Sequence, residues 1–131
     1  MTREPTFLDL HQVTEIHRDQ IERYGGAHGV RDQGLLESAL AMPQAGMAGE
    51  YFHTDLFEMA AAYLFHLAKN HPFIDGNKRV AAMAAFVFLA MNDVDLAAPE
   101  VAYEGLVLDV AAGKTGKAAI GEFFRRHTKT R

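Results

Sequence analysis

Two apolar stretches constrain the fold most, because each is apolar on nearly every side. They cover about 55–69 and about 77–92. The second includes an uninterrupted apolar run from Val80 to Met91, which is too short to span a bilayer and is typical of a buried helix. Helices without a polar face belong in the centre of a bundle. The sequence therefore predicts two buried central helices, joined by a loop at 70–76.

The other segments with helical period are shorter or more polar. They lie at about 8–24, between Asp32 and Pro43, at about 99–111 and at about 116–127. Asp32 is predicted to cap the second of them, and Asp55, with Glu58 three residues later, is predicted to cap the first central helix. Gly25 and Gly26 end the first of them, since glycine tolerates the left-handed conformation after a helix. The Gly-rich stretch 43–53 is compatible with a loop or a short hairpin, and no strand ladder is evident. We expect one all-α domain over 1–131, a compact bundle of about six helices.

Composition excludes several classes of protein. The chain has 131 residues, of which 49% are hydrophobic, as expected of a single globular domain. Its net charge of −4 argues against direct binding of nucleic acid. The absence of cysteine excludes disulfides and thiolate chemistry. The first ten residues lack the apolar core of a signal peptide, so we expect a cytoplasmic protein without membrane association.

The sequence HPFIDGNKR, at 71–79, crosses from the loop into the second central helix. The first amides of that helix, around Gly76 to Arg79, lack intrahelical partners, and the helix dipole favours an anion there. Gly76 lets a ligand approach the backbone closely. Lys78 and Arg79 add two positive charges beside these amides. The segment therefore predicts a phosphate-binding site.

Three further residues of 71–79 add chemistry or support. Asp75 is the only carboxylate of the loop, and one carboxylate beside phosphates is a common way to hold Mg²⁺. His71 is the natural general base. Asn77 can hold the loop or orient a phosphate, and Phe73 is expected to anchor the loop in the core. Together they predict magnesium-assisted transfer of a phosphorus-centred group to a hydroxyl. An ordinary turn between helices would explain any one of these residues, but hardly all of them together.

HPFIDGNKR resembles the signature of Fic-domain proteins, His-x-Phe-x-Asp/Glu-Gly-Asn-x-Arg, and in particular that of the Doc (death-on-curing) branch. The segments 22–40 and 54–73 are also similar to that family, so the resemblance covers roughly 8–127. It implies the all-α Fic fold.

The resemblance also implies an activity. Most Fic proteins transfer AMP from ATP to a protein hydroxyl, and they have glycine where this chain has Lys78 and an arginine where it has Ala82. Both departures are typical of Doc toxins, which bind ATP in the reverse sense. They pass its γ-phosphate to a threonine of elongation factor Tu and so halt translation. By resemblance, His71 is the catalytic base, Asp75 binds Mg²⁺, and the ATP phosphates are held by Lys69, Gly76, Asn77, Lys78 and Arg79.

Two alternatives remain open at this stage. Pro72 and Gly76 are more like ordinary Fic proteins, which keeps protein adenylylation as the first alternative. The second is an inactive Fic-like module that only binds other proteins. No Ser/Thr-x-x-x-Glu-Gly/Asn inhibitory pattern is found in the chain. We therefore expect a separate Phd-like antitoxin, whose disordered C-terminal segment folds onto this protein.

Three other features are interpreted as structural. His66, flanked by Phe65 and Leu67, is expected to be a core histidine with its hydrogen bonds satisfied. Asp93 and Asp95 are placed in a turn. The basic tail at 125–131 is expected to be a solvated end.

Overall fold

The computed structural model describes residues 4–131, which form six α-helices and four short strands. The helices are α1 (Leu10–Tyr24), α2 (Gln33–Ala41), α3 (Leu56–Asn70), α4 (Asn77–Met91), α5 (Glu100–Ala111) and α6 (Lys117–Arg126). The strands are β1 (Gly46–Met47), β2 (Glu50–Tyr51), β3 (Val94–Leu96) and β4 (Thr128–Thr130), and a 3₁₀ turn spans Met42–Gln44. The predicted all-α bundle of about six helices is confirmed.

Helices α3 and α4 form the centre of the bundle, as the two apolar stretches predict. They pack most extensively against each other, and α3 also contacts α2, α5 and α6. Buried side chains on α3 run from Met59 to Ala68, and those on α4 run from Val80 to Leu89. Phe124 of α6 and Leu36 of α2 belong to the same buried core. No helix within residues 4–131 is long and apolar enough to cross a membrane.

Side-chain caps define where three helices begin. Asp9 accepts a hydrogen bond from the backbone of Gln12, whose side chain bonds back in a capping box. Asp32 accepts from Leu35 N, and Asp55 accepts from Glu58 N. The two caps predicted at Asp32 and Asp55 are therefore confirmed.

The structure also contains two small sheets, of which only the first was among the predicted possibilities. The first is the hairpin β1–β2, one of the two structures that the stretch 43–53 allowed. The second pairs β3 with β4 in antiparallel register, with Asp95 opposite Lys129. The placement of Asp95 in a turn is thus corrected. The basic tail, which was expected to be a solvated end, also contributes strand β4. Lys129 within that strand is exposed to solvent. The segment Thr-Lys-Thr carries no apolar alternation, so only pairing with a distant strand defines it.

Candidate active site

Residues 71–79 span the junction of α3 and α4, and the motif loop (71–76) connects the two helices. His71 follows α3 directly in the left-handed region, with φ 48° and ψ 53°. Gly76 precedes α4 with φ 77°, a conformation that favours glycine. His71, Asp75 and Lys78 are exposed, whereas Pro72 and Phe73 are buried. The loop thus presents His71 and Asp75 to solvent while Pro72 and Phe73 anchor it, as was predicted for Phe73.

A second stretch of chain, the support segment (25–32), lies along the motif loop and hydrogen bonds to it. Ile74 N donates to Gly29 O at 3.0 Å, and Val30 forms a bridge with Phe73. The amides of Arg31 and Asp32 both donate to Pro72 O, at 2.7 and 3.0 Å. The sequence analysis assigned this stretch no supporting role, so that role is a structural finding.

Asn77, the first residue of α4, holds the middle of the motif loop. Its Oδ1 accepts from Phe73 N at 2.9 Å, and its Nδ2 donates to Phe73 O at 3.0 Å. Of the two roles that the sequence allowed, the structure shows the one of holding the loop. Phosphate binding by Asn77 stays a prediction.

His17 of α1 supports the motif loop from the buried side. The sequence analysis did not identify this residue as part of the site. Only 4% of the residue is exposed, and its ring stacks on Phe73 at 4.0 Å between centroids. Its Nε2 lies 2.9 Å from Asp75 O, so the neutral ring donates to that carbonyl. Burial lowers the pKa of His17, which keeps the ring neutral. The sequence did hold a signal for the burial of His17, because it lies four residues from both Val13 and Ile21 and so shares their buried helix face.

Asp75 is held as a carboxylate by backbone amides. It accepts from Ala27 N at 3.2 Å and from Gly76 N at 2.8 Å, and these two bonds, in that order, lower its pKa. Glycine at position 26 leaves room for the carboxylate in this position, because a Cβ there would lie 2.7 Å from Asp75 Oδ2. An exposed, ionised oxygen donor fits Mg²⁺. Metal binding by Asp75 remains a prediction.

The cations predicted to bind phosphate lie in different surroundings. Lys78 is exposed and has no hydrogen-bond or ion-pair partner among residues 4–131. Arg79 donates to Gln20 O at 3.2 Å and to Gly25 O at 2.8 Å, so it also fastens the end of α1. Lys69 extends toward the loop between α5 and α6, with its Nζ 3.4 Å from where a Cβ on Gly113 would lie. Lys78 thus lies exposed on the first turn of α4, and the phosphate roles of all three cations stay predictions.

Comparisons with known proteins place this geometry in a family. The sequence profile of the Fic/DOC family matches residues 7–89, more than half of the chain. The chain belongs to the Fic/DOC family. It is 37% identical to the protein kinase doc of Escherichia phage P1 over 116 residues, which are 88% of this chain and 90% of that relative. It is 51% identical to toxin Doc of Mycolicibacterium smegmatis over 75 residues, 57% of this chain and 58% of that relative. The predicted membership of the Doc branch of Fic proteins is confirmed.

A groove of about 680 Å³ adjoins the Fic motif. It lies among α1, α4, β3 and α5, and its lining includes Lys78 and Arg79. Most of its other lining side chains are apolar, including Met83, Phe86 and Leu108. Phe86 and Leu108 are 41% and 49% exposed, respectively, so part of this apolar lining faces solvent. The motif is therefore flanked by an apolar surface capable of taking a partner or ligand.

Proposed function

We propose that this Fic/DOC protein is the toxin of a toxin–antitoxin module. In this proposal it transfers the γ-phosphate of ATP to a hydroxyl of a target protein, with a threonine of elongation factor Tu as the predicted acceptor. The observation that carries it is Lys78, exposed and unpartnered within residues 4–131 on the first turn of α4. A cation there, beside amides that no side chain caps, favours a highly charged phosphate group.

The proposed reaction gives separate roles to His71, to Lys78 with the first amides of α4, and to Asp75. The oxygen of the target hydroxyl forms a bond to the γ-phosphorus while His71 accepts the proton of that hydroxyl. The bond from that phosphorus to the bridging oxygen breaks, and ADP leaves. The amides at the start of α4, together with Lys78, balance the phosphate charge. Asp75 would hold Mg²⁺, which neutralises charge on the phosphates.

Protein adenylylation is the second candidate, and a specific feature favours it. Gly76, with φ 77°, is retained as in AMP-transferring Fic proteins, so the amides that follow it, at 77–79, remain accessible to a diphosphate. In that reaction the target oxygen would bond to the α-phosphorus of ATP, the bond from that phosphorus to the oxygen bridging to the β-phosphorus would break, and pyrophosphate would leave.

Label transfer separates the candidates. The purified protein is incubated with Mg²⁺, elongation factor Tu or a cell lysate, and ATP labelled at either the α- or the γ-phosphorus. Protein labelled only from the γ position is the expected result. Label from the α position alone would instead establish adenylylation. Absence of both labels in the competent lysate would favour a binding module without activity.

The Lys78→Gly variant tests the role of the lysine itself. If Lys78 determines how the nucleotide binds, this variant should lose γ transfer by about 10-fold or more. Lys114→Gly, in the exposed turn after α5, is the matched control and should keep the wild-type rate. Equal γ transfer by Lys78→Gly and the wild type would contradict the role given to Lys78.

The antitoxin partner belongs to the same proposal. We infer that its C-terminal segment folds as a helix into the groove beside the motif. An apolar helix face fits Met83, Phe86 and Leu108, and a carboxylate of the segment fits Lys78 or Arg79. A segment so placed would also cover the phosphate site, which accounts for inhibition without an inhibitory helix in the chain itself.

Co-expression with the neighbouring gene tests this inference. Phe86→Asp should weaken the complex by about 10-fold or more, because a charge would be buried against the helix. Val101→Asp is the control, since Val101 lies on α5 at 83% exposure and does not line the groove. If both variants bind the antitoxin as the wild type does, the groove is not its site.

A further inference from the structure

The end of α3 lacks the usual way of satisfying its last carbonyls. A helix that ends in a left-handed residue normally receives hydrogen bonds from the amides that follow. Here the left-handed residue is His71, at φ 48°, and the next residue is Pro72, which has no N–H. A histidine in this region is also less favourable than glycine. The conformation of His71 therefore depends on donors from elsewhere in the chain.

Arg31, in the support segment, supplies those donors. Its Nε donates to His71 O at 2.7 Å, and its Nη2 donates to Asn70 O at 2.9 Å. Its backbone N–H and that of Asp32 complete the set on Pro72 O. Three consecutive carbonyls at 70–72 are thus bound by two adjacent residues. The planar guanidinium suits this task, because its donors are fixed relative to each other.

We propose that Arg31 is a positioning residue for His71, and this rests on the proposed phosphotransfer. Arg31 holds the backbone of the candidate base in the left-handed conformation, and that conformation aims the imidazole toward the acceptor hydroxyl. The side chain is exposed and lies outside the apolar core, so its contribution is local. A misplacement of a catalytic group by about 1 Å costs up to about 100-fold in rate.

Kinetics on the Arg31→Met variant give the first test. We expect kcat to fall by about 10- to 100-fold while KM for ATP stays within about twofold, since Arg31 acts through the base. Arg31→Lys retains one point donor and should fall between Arg31→Met and the wild type. Arg18→Met, which removes an exposed arginine paired with Glu15 on α1, should match the wild type. Unchanged kcat in Arg31→Met, or a rise in KM alone, would overturn the proposal.

A double mutant tests whether the effect passes through His71. In a His71→Ala background, adding Arg31→Met should leave the residual rate unchanged, because the group that it positions is gone. A further loss of the same size as in the wild-type background would mean that Arg31 acts elsewhere. Should Arg31→Met fail to fold, the same comparison is made with Arg31→Lys.

An NMR measurement decides the structural part without any activity. A residue with positive φ gives a strong intraresidue NOE between its amide proton and Hα. His71 should show it in the wild type and in Arg18→Met, and it should weaken in Arg31→Met, with a change in the ring shifts. An unchanged His71 signal in Arg31→Met would overturn the positioning role. If the wild type transfers no label, the proposed function fails, and this NMR result still decides the role of Arg31.

Discussion

Single residues of the support segment decide the state of the candidate metal ligand. Gly26 lies so close to Asp75 that any side chain there would displace the carboxylate, and Ala27 N holds one of its oxygens. These contacts keep the pKa of Asp75 low. The carboxylate that the motif contributes is thus prepared by a part of the chain almost fifty residues earlier.

Gly26→Ala should therefore impair the site more than a comparable change next to it. The new Cβ would meet Asp75 Oδ2 at 2.7 Å. Gly25→Ala shares the strain of a positive φ, but its Cβ would meet nothing within 4 Å. We expect Mg²⁺-dependent activity to fall at least about 10-fold further in Gly26→Ala than in Gly25→Ala. Magnesium titration of both variants measures this, and equal losses would show that backbone strain alone is responsible.

His66 is a second residue whose surroundings matter, and it lies away from the motif. Its Nε2 is 3.1 Å from Lys117 Nζ, which also lies 3.3 Å from His53 Nε2. Burial first, then Lys117 and His53, lower the pKa of His66 to about 4. His66 was expected to be a core histidine. Its ring is instead half-buried and bound by a lysine, which corrects that expectation.

The lowered pKa predicts how stability depends on pH. The unfolded chain takes up a proton on this ring near its usual pKa of 6.5, whereas the folded chain does so only near 4. Stability is therefore lost as pH falls through that window, and His66 has no effect above it. From about pH 7.5 to about pH 5, the wild type should lose about 1 kcal/mol more than His66→Gln, after allowance for the partly exposed ring. Urea unfolding at both pH values tests this, with exposed His11→Gln as control; equal losses in His66→Gln and wild type would contradict it.

At the scale of elements, small side chains set how α3 and α4 meet. Both helices carry fully buried alanines, at 60–62 and 68 on α3 and at 81, 84 and 85 on α4. Alanine allows close packing of helices, and it loses little conformational entropy in a helix. Because the motif loop joins these two helices, their spacing fixes the span that the loop must cover.

Enlarging one of these alanines should strain the central pair. Ala84→Leu places extra volume at a fully buried position, and we expect a loss of about 1–3 kcal/mol in the free energy of unfolding. Ala118→Leu, on the exposed face of α6, should change stability by less than about 0.5 kcal/mol. Urea midpoints of the two variants provide the comparison. A stable Ala84→Leu variant would mean that this interface adapts easily.

For the molecule as a whole, the last residues tie the bundle together far from the site. Strand β4 pairs with β3, which follows α4, and Arg131 contacts Asp95 at 3.1 Å and Ala90 O at 2.7 Å. These contacts lie at the end of α4, whereas the motif residues lie at its start. They therefore contribute to stability without touching His71 or Asp75.

Removal of residues 128–131 should thus separate stability from activity. We expect the free energy of unfolding to fall by about 1–3 kcal/mol, because β3 loses its partner. Label transfer measured well below the unfolding temperature should remain at the wild-type rate. Arg131→Ala alone serves as the milder control. Lost transfer by a truncated protein that is still folded would show that this sheet influences the site.

The sequence by itself determined the helices and the motif. Apolar periodicity, caps at Asp32 and Asp55, and the segment 71–79 are local patterns, so they could be read without knowing which helices meet. The tertiary structure decided what holds the motif in place. His17 reaches Asp75 across 58 positions, and Arg31 reaches His71 across 40. Hydrogen bonds over such distances, like the pairing of β3 with β4, leave no periodic signal in the chain, because they arise only when the helices pack.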